Sequence, residues 1–228
     1  MALAIHSTQS AAQTAGVKIL VFGGAGAGKT TLISTLQPFN PIILSAEAGL
    51  LSLSRFNLPF MQITTPAELA EAHRWLMCSA EAQQFGAVSI DSISEIAEVV
   101  LAKAKATAKD PRQAYGTLIE ECMASLRLFR DLPGRHVYVT AKQELQKAEM
   151  GPSKWLPSLP GSKLGGQIPY LFDEVFYLGI SPPQPDGSTF RYLQTTATFD
   201  RDCKDRSGML DAYEPPDLSL IINKILGK

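Results

Sequence analysis

Two hydrophobic periods alternate along this chain, one of strands and one of helices. Val17 to Phe22, "VKILVF", is an apolar run that stops at glycines, as a strand buried on both faces does. "KTTLISTL" then predicts a helix that stops near Pro38. Apolar runs recur at Ile42 to about Ser45, at Pro59 to Ile63, and in "GAVSIDS" and "RHVYVTA". Between them lie helix-period segments. The first has Thr65 as N-cap, Pro66 at the first helical position and Glu68 placed for a capping box. "ISEIAEVVLAKAKATA" follows, "KDPRQA" breaks the period, and "YGTLIEECMASLRLFRDL" resumes it. "LFDEVFYLGI", "TFRYLQTT" and "ATFDRD" read as late strands, and "PPDLSLIINKILGK" as a terminal helix. From Lys142 to about Gln167 the pattern fades into Gly, Pro, Ser and Lys. That predicts a long irregular loop, which in a compact domain is functional or disordered.

Strands alternating with helices predict an α/β fold with a mostly parallel central sheet flanked by helices. The late strands, joined by short turns, predict an antiparallel C-terminal extension. Residues 1–16 read as a flexible N-terminal tail and residues 17–228 as one domain. The first residues lack the charged and apolar regions of a signal peptide. No apolar run is long enough to span a membrane, which predicts no membrane partner.

Composition narrows the picture a little. The chain has 228 residues, 45% of them hydrophobic, enough for one sizeable core. A formal net charge of −1 means that any nucleic-acid surface must be a local patch. Cys78, Cys122 and Cys203 form no metal-ligand spacing, and a reduced, cytoplasmic protein is the simplest expectation.

The chemistry begins at Gly23-x4-Gly28-Lys29-Thr30, a full phosphate-loop motif between a predicted strand and a predicted helix. Glycines let the backbone N–H groups of Gly23, Gly24, Ala25, Gly26, Ala27 and Gly28 converge on an anion, and the helix start adds partial positive charge. Lys29 is placed for the β- and γ-phosphates of ATP, Thr30 for Mg²⁺, and Thr31 for the same nucleotide. Asp91, ending a buried strand, is a second Mg²⁺ partner through water, or the N-cap of the next helix, or both. Glu47, just past the second strand, belongs at the carboxyl ends of the strands where α/β sheets bind ligands. There it is a candidate to orient or deprotonate a water; the alternative is a solvated loop acid. Thr140, Lys142 and Gln143 follow a further strand, and Thr140 and Gln143 are candidate sensors of the γ-phosphate. "NKIL" lacks the aspartate that would read guanine, which argues against a GTPase.

In that order, "GGAGAGKTTLI", "SAEAGL", "SIDSISEI", "IPYLFDEVFYL" and "KDRSGML" resemble the phage-encoded RecA-like P-loop ATPases of the single-strand-annealing (Sak-type) family. The likeness runs from about Val17 to the C-terminus. It implies a RecA-like ATPase domain over 17–228, with Glu47 as catalytic glutamate and Asp91 as Walker B aspartate. The family's Asn-Gln sensor pair is absent, so Thr140 or Gln143 maps only loosely. The resemblance further implies that Lys204 and Arg206, a K-x-R pair in "CKDRSG", reach a neighbouring subunit's phosphates. It implies Mg-dependent ATP hydrolysis stimulated by single-stranded DNA, self-assembly as a ring or filament, and a part in phage recombination or annealing within the host bacterial cytoplasm. A single-strand-binding protein is a further partner it allows. Two loops would hold the DNA: one near "KATAKDPRQAYG", the other carrying Lys147, Lys154, Trp155 and Lys163, where lysines meet phosphates and the indole stacks on a base. The competing functions are a small-molecule phosphotransferase and a nucleotide-gated adaptor without turnover.

Overall fold

The computed structural model describes residues 15–47, 49–147, 151–161 and 163–228; the expected tail lies outside them up to residue 14. The chain forms β1 (Lys18–Phe22), a 3-10 helix (Thr31–Phe39), β2 (Pro41–Ser45), a second 3-10 helix (Leu50–Phe56), β3 (Phe60–Gln62) and α1 (Pro66–Cys78). Then come β4 (Ala87–Asp91), α2 (Ile93–Thr107), α3 (Pro111–Arg130), β5 (His136–Gln146), β6 (Lys154–Ser158) and α4 (Leu164–Gln167). A 3-10 turn (Ile168–Leu171) leads to β7 (Glu174–Ile180), β8 (Arg191–Gln194), β9 (Lys204–Asp205), β10 (Tyr213–Glu214) and α5 (Leu218–Ile225).

All ten strands join one sheet with the order β10-β8-β7-β1-β5-β4-β2-β3; β6 adds to β5, and β9 to β7. The pairings from β7 through β3 are parallel, and β8, β9 and β10 are antiparallel. This is the α/β architecture with an antiparallel C-terminal extension that the hydrophobic pattern predicts. Strand parity sorts the core into two layers. Leu20 and Phe22 of β1 face α1, α2 and α3, whereas Ile19 and Val21 face the first 3-10 helix and α5. In α3 the buried residues Ala114, Leu118, Cys122, Leu126 and Phe129 form one stripe at helical spacing. At the start of α1 the predicted capping box is present: Glu68 N donates to Thr65 Oγ1 at 3.2 Å, and Thr65 N to Glu68 Oε2 at 3.0 Å.

Three local expectations are corrected. The segment after the phosphate loop is 3-10 rather than α-helical. Ser34 and Thr35 hydroxyls donate to the carbonyls of Thr31 and Leu32, and Pro38 has no N–H to give, so the α-helical ladder is undercut. The stretch after Lys142 is not a structureless loop. β5 runs on to Gln146, and β6 pairs back on it antiparallel from Lys142↔Ser158 to Gln146↔Lys154. The hairpin is seated by polar bonds to α2: Lys142 N donates to Ser94 Oγ at 2.9 Å, and Ser94 Oγ to Ser158 O at 2.7 Å. Pro157 is tolerated because β5 is the only strand β6 pairs with, and the single bridge on its other side, Trp155 to Arg201, lies away from the proline. Finally, "ATFDRD" forms a turn. Thr198 N donates to Arg201 O at 2.9 Å, and Thr198 Oγ1 to Asp200 Oδ1 at 2.9 Å.

At the amino end of β7, Glu174 is 1% exposed and faces a cavity floored by Ile225 and Leu226. Burial, then its contact with the Asp205 carboxyl on β9, pushes Glu174 up to about 8. Two neighbouring carboxyls cannot both ionise cheaply, and Asp205 accepts from Ser207 Oγ and from the N–H groups of Gly208 and Leu210, so Glu174 is the one that keeps its proton. A carboxyl raised above its unfolded value adds stability that is complete below the unfolded value and is lost as pH rises through the folded one. The melting temperature should therefore fall between about pH 5 and 8. Glu174→Gln, which keeps the shape without the charge, should flatten that fall and melt higher than the parent at pH 8. Equal slopes in thermal melts across pH would refute the raised Glu174 carboxyl.

Candidate functional site

The parallel strands β1, β2, β4 and β5 end side by side, and their carboxyl ends frame one cleft of about 690 Å³. The phosphate loop forms its floor, with Glu47, Asp91, Gln143 and Trp155 around it. Gly26 and Gly28 have φ of +71° and +106°, values that only glycine adopts readily. Among the described residues the N–H groups of Ala25, Gly26, Gly28, Lys29 and Thr30 donate to no other group. A row of free donors ahead of a helical turn is an anion cradle. Lys29 Nζ donates to the carbonyls of Gly23 and Gly24, both at 2.9 Å, and burial lowers its pKa against the opposing pull of Asp91 and Glu47.

Asp91 is the hub. Thr30 Oγ1 donates to its Oδ2 at 2.8 Å, and Thr140 Oγ1 donates to its Oδ1. Burial raises its pKa, while the two hydroxyls lower it, Glu47 raises it further and Lys29 lowers it. Asp91 lies within β4, and the cap position of α2 belongs to Ser92. Ser92 Oγ in turn donates to Glu47 Oε1, and Ala46 N donates to Asp91 O at 2.8 Å, so Glu47 is held beside Asp91 rather than in solvent. Gln143 is set against the loop: a Cβ on Gly24 would lie 3.5 Å from its Nε2. Its Oε1 is buried without a partner among the described residues.

These residues fit a nucleotide triphosphate and a divalent ion. The free loop donors and the orphaned Gln143 oxygen match phosphate oxygens and their water. The Thr30–Asp91 pair offers a hydroxyl and one carboxylate. No group of three or more His, Cys, Asp or Glu among the described residues could hold a metal. An ion here would thus depend on phosphate and water oxygens, as Mg²⁺ in nucleotide sites does.

The sequence expectations divide. The loop residues Gly23, Gly24, Ala25, Gly26 and Gly28 come together on the cleft with Lys29, Thr30, Thr31, Glu47, Asp91 and Gln143; Ala27 does not, because it is buried and its N–H donates to Gly24 O at 3.3 Å. Thr140 is fully buried and meets Asp91 instead of the cleft. Lys142 also reaches the cleft wall but pairs with Glu95 at 3.0 Å and Glu98 at 3.1 Å on α2. Trp155 lines the phosphate cleft, and Lys154 pairs with Asp202 at 2.6 Å. Lys147 is exposed at the end of the β5 extension. Lys163 lies elsewhere, in a separate cleft with Arg112 and Tyr115. Lys204 and Arg206 lie at the opposite end of the sheet, because β9 pairs with the amino end of β7. Lys204 Nζ donates to the carbonyls of Pro169 and Phe172, and Arg206 pairs with Asp173 at 2.8 Å. Two contacts to the loop backbone have no mark in the sequence: Tyr138 OH donates to Lys29 O at 2.8 Å, and Arg191 Nε to Ala27 O at 2.8 Å. Both cross more than a hundred residues, and no local motif announces either.

Fold and cleft together define a P-loop ATPase domain. The model of the AAA_24 family, described as an AAA domain, matches residues 15–207, and the chain belongs to that family. No curated protein matches the chain in sequence. Among solved structures, the KaiC-like protein PH0186 from the hyperthermophilic archaeon Pyrococcus horikoshii OT3 is similar at 15% identity. The match covers 78% of this chain and 77% of that one, with a TM-score of 0.43. No described helix is long and apolar enough to cross a membrane.

Thr140→Val removes one hydroxyl from a buried carboxylate without changing shape. Unfolding in urea should show a loss of about 1–3 kcal/mol. An unchanged midpoint would mean that the Thr140 contact does not stabilise Asp91.

Proposed function

We propose that this chain hydrolyses ATP while assembled with further copies of itself on single-stranded DNA, in phage-type recombination or strand annealing. The observation that carries the catalytic part is the placement of Lys29, the Thr30–Asp91 pair, Glu47 and Gln143 around one cleft. Thr30 and Asp91 would hold Mg²⁺, which supplies charge neutralisation on the β- and γ-phosphates. Lys29 neutralises phosphate oxygens. Glu47 accepts a proton from water as the water oxygen bonds to the γ-phosphorus; the bond to the bridging oxygen breaks, and ADP leaves with that electron pair. Gln143 faces the loop and registers whether the γ-phosphate is present.

The DNA part is supported by the cleft that the two expected DNA segments build together. It measures about 440 Å³ and lies between the start of α3 and the segment after β6. Arg112 and Lys163 stand on its walls, Lys105 Nζ lies 5.4 Å over the Tyr115 ring, and Gly161 packs on that ring. Cations beside an accessible aromatic suit a phosphate backbone and a stacked base. The resemblance to single-strand-annealing ATPases supports the same partner. Assembly is supported by Arg206, which is exposed at the sheet end remote from its own phosphate loop and would exchange its pairing with Asp173 for another copy's phosphates. Lys204, tied to two carbonyls, serves there by fixing the turn that presents Arg206.

The test is ATP hydrolysis per subunit across a dilution series, with and without single-stranded DNA. Wild-type activity should rise with DNA and fall on dilution. Glu47→Gln should lose about 10²–10⁴ in rate while still binding ATP. Tyr115→Ala should lose DNA stimulation but keep basal turnover, and Arg206→Ala should lose the stimulated rate. Indifference to DNA and dilution, with transfer of phosphate to an added acceptor, would replace this function with a phosphotransferase. ATP binding with no turnover under any condition would leave a nucleotide-gated adaptor.

A further inference from the structure

The phosphate loop binds through backbone N–H groups, so its function depends on which way each peptide plane faces. One plane is controlled from outside the motif. Arg191, the first residue of β8, donates Nε–H to the carbonyl of Ala27 at 2.8 Å. The Ala27–Gly28 peptide is trans. In a trans peptide the C=O and the next N–H point in opposite directions across one rigid plane. Holding Ala27 O toward β8 therefore turns Gly28 N–H away from β8. That N–H donates to no other group among the described residues, and Gly28 lines the phosphate cleft. Gly28 has φ +106°, and a Cβ there would stand 3.3 Å from Arg191 Nε, so the arginine is packed on the loop and does not merely pass near it.

Other features point the same way. Arg191 enters none of the ion pairs among the described residues, so no carboxylate competes for its guanidinium. The side chain also stands on the wall of a second cleft, about 240 Å³, which it shares with Gly28, Thr31, Thr35, Leu178 and Pro216. The two clefts meet at the Gly28 backbone. Glycine at this position is flexible, and nothing in the loop's own sequence fixes this peptide. β8 does so through its antiparallel pairing with β7, which is itself paired with β1.

We propose that Arg191 is a positioning residue of the phosphate site: it locks the Ala27–Gly28 peptide so that Gly28 N–H is presented to the polyphosphate. The proposal rests on polyphosphate binding at this loop and not on DNA or assembly. Losing one charge-assisted hydrogen bond that orders a donor should weaken binding about tenfold.

Calorimetric titration with ATP, ADP and inorganic tripolyphosphate, each with magnesium, separates the possibilities. Arg191→Ala should bind all three about tenfold more weakly than wild type, with an unchanged melting temperature in the absence of ligand. Arg191→Lys, which retains a donor on a longer reach, should recover part of the loss for all three. If Arg191→Ala weakens ATP and ADP but binds tripolyphosphate like wild type, Arg191 touches the nucleoside instead and the proposal falls. It falls also if all three affinities are unchanged, or if the ligand-free variant melts low and lysine restores neither property. Wild-type titration with ATP, run first, tests the loop itself: failure there removes the nucleotide site, whereas failure of Arg191→Ala alone leaves that site standing.

Discussion

The fold's functional end depends on one buried carboxylate finding donors. Asp91 is 2% exposed, and an ionised carboxyl at that depth is costly unless hydrogen-bonded. Its donors come from two places, Thr30 at the end of the phosphate loop and Thr140 on β5, and the charge of Lys29 lies nearby. Satisfying Asp91 therefore sets the height of the loop relative to β4 and β5. The sheet order makes this possible. β5 lies between β1 and β4, so the Asp91 strand and the loop strand are one strand apart, with Thr140 between them.

The same strand carries the site outward. Beyond Thr140, β5 continues through Gln143 on the cleft to the β5–β6 hairpin, and Ser94 at the start of α2 bonds both strands. β6 returns Trp155 to the phosphate cleft, and the segment after it brings Gly161 against Tyr115. The β5–β6 hairpin thus lies between two clefts on different parts of the surface. A shift of Gln143 would have to move Pro157, its register partner, or break the ladder.

How much of this was legible in the sequence follows from locality. The phosphate loop is contiguous and its chemistry is backbone, so nine neighbouring residues announce it. Asp91 and Glu47 were legible because apolar strands end at them and parallel strands aim their carboxyl ends at one place. Thr140 and Gln143 were legible as a pair but not in role. They are three apart on a strand, so they point to opposite faces, and only the neighbours decide that one meets Asp91 and the other the cleft. The hairpin was hidden because polar bonds and an edge position hold it, which leave no apolar alternation to read. Lys204 and Arg206 share a strand-like spacing, yet β9 ends at Asp205, so strand parity no longer governs Arg206. The lysine turns in to carbonyls, and the arginine stays outside.

What no motif carries is the support of the loop. A backbone site gains its affinity from peptide planes fixed before the ligand arrives, and glycine contributes no fixing of its own. In this chain the fixing comes from long-range side chains that act on carbonyls. Tyr138 holds Lys29 O from below, within the core beneath the loop, and Arg191 holds Ala27 O from the side, out of the antiparallel extension. Each pulls a carbonyl away and so leaves the following N–H free to face the cleft. The parallel core supplies one of these ties and the late strands the other. The C-terminal extension is then part of the nucleotide site and not an appendage to it. A domain cut before β8 would keep the whole phosphate-loop motif and lose one of the contacts that orients it.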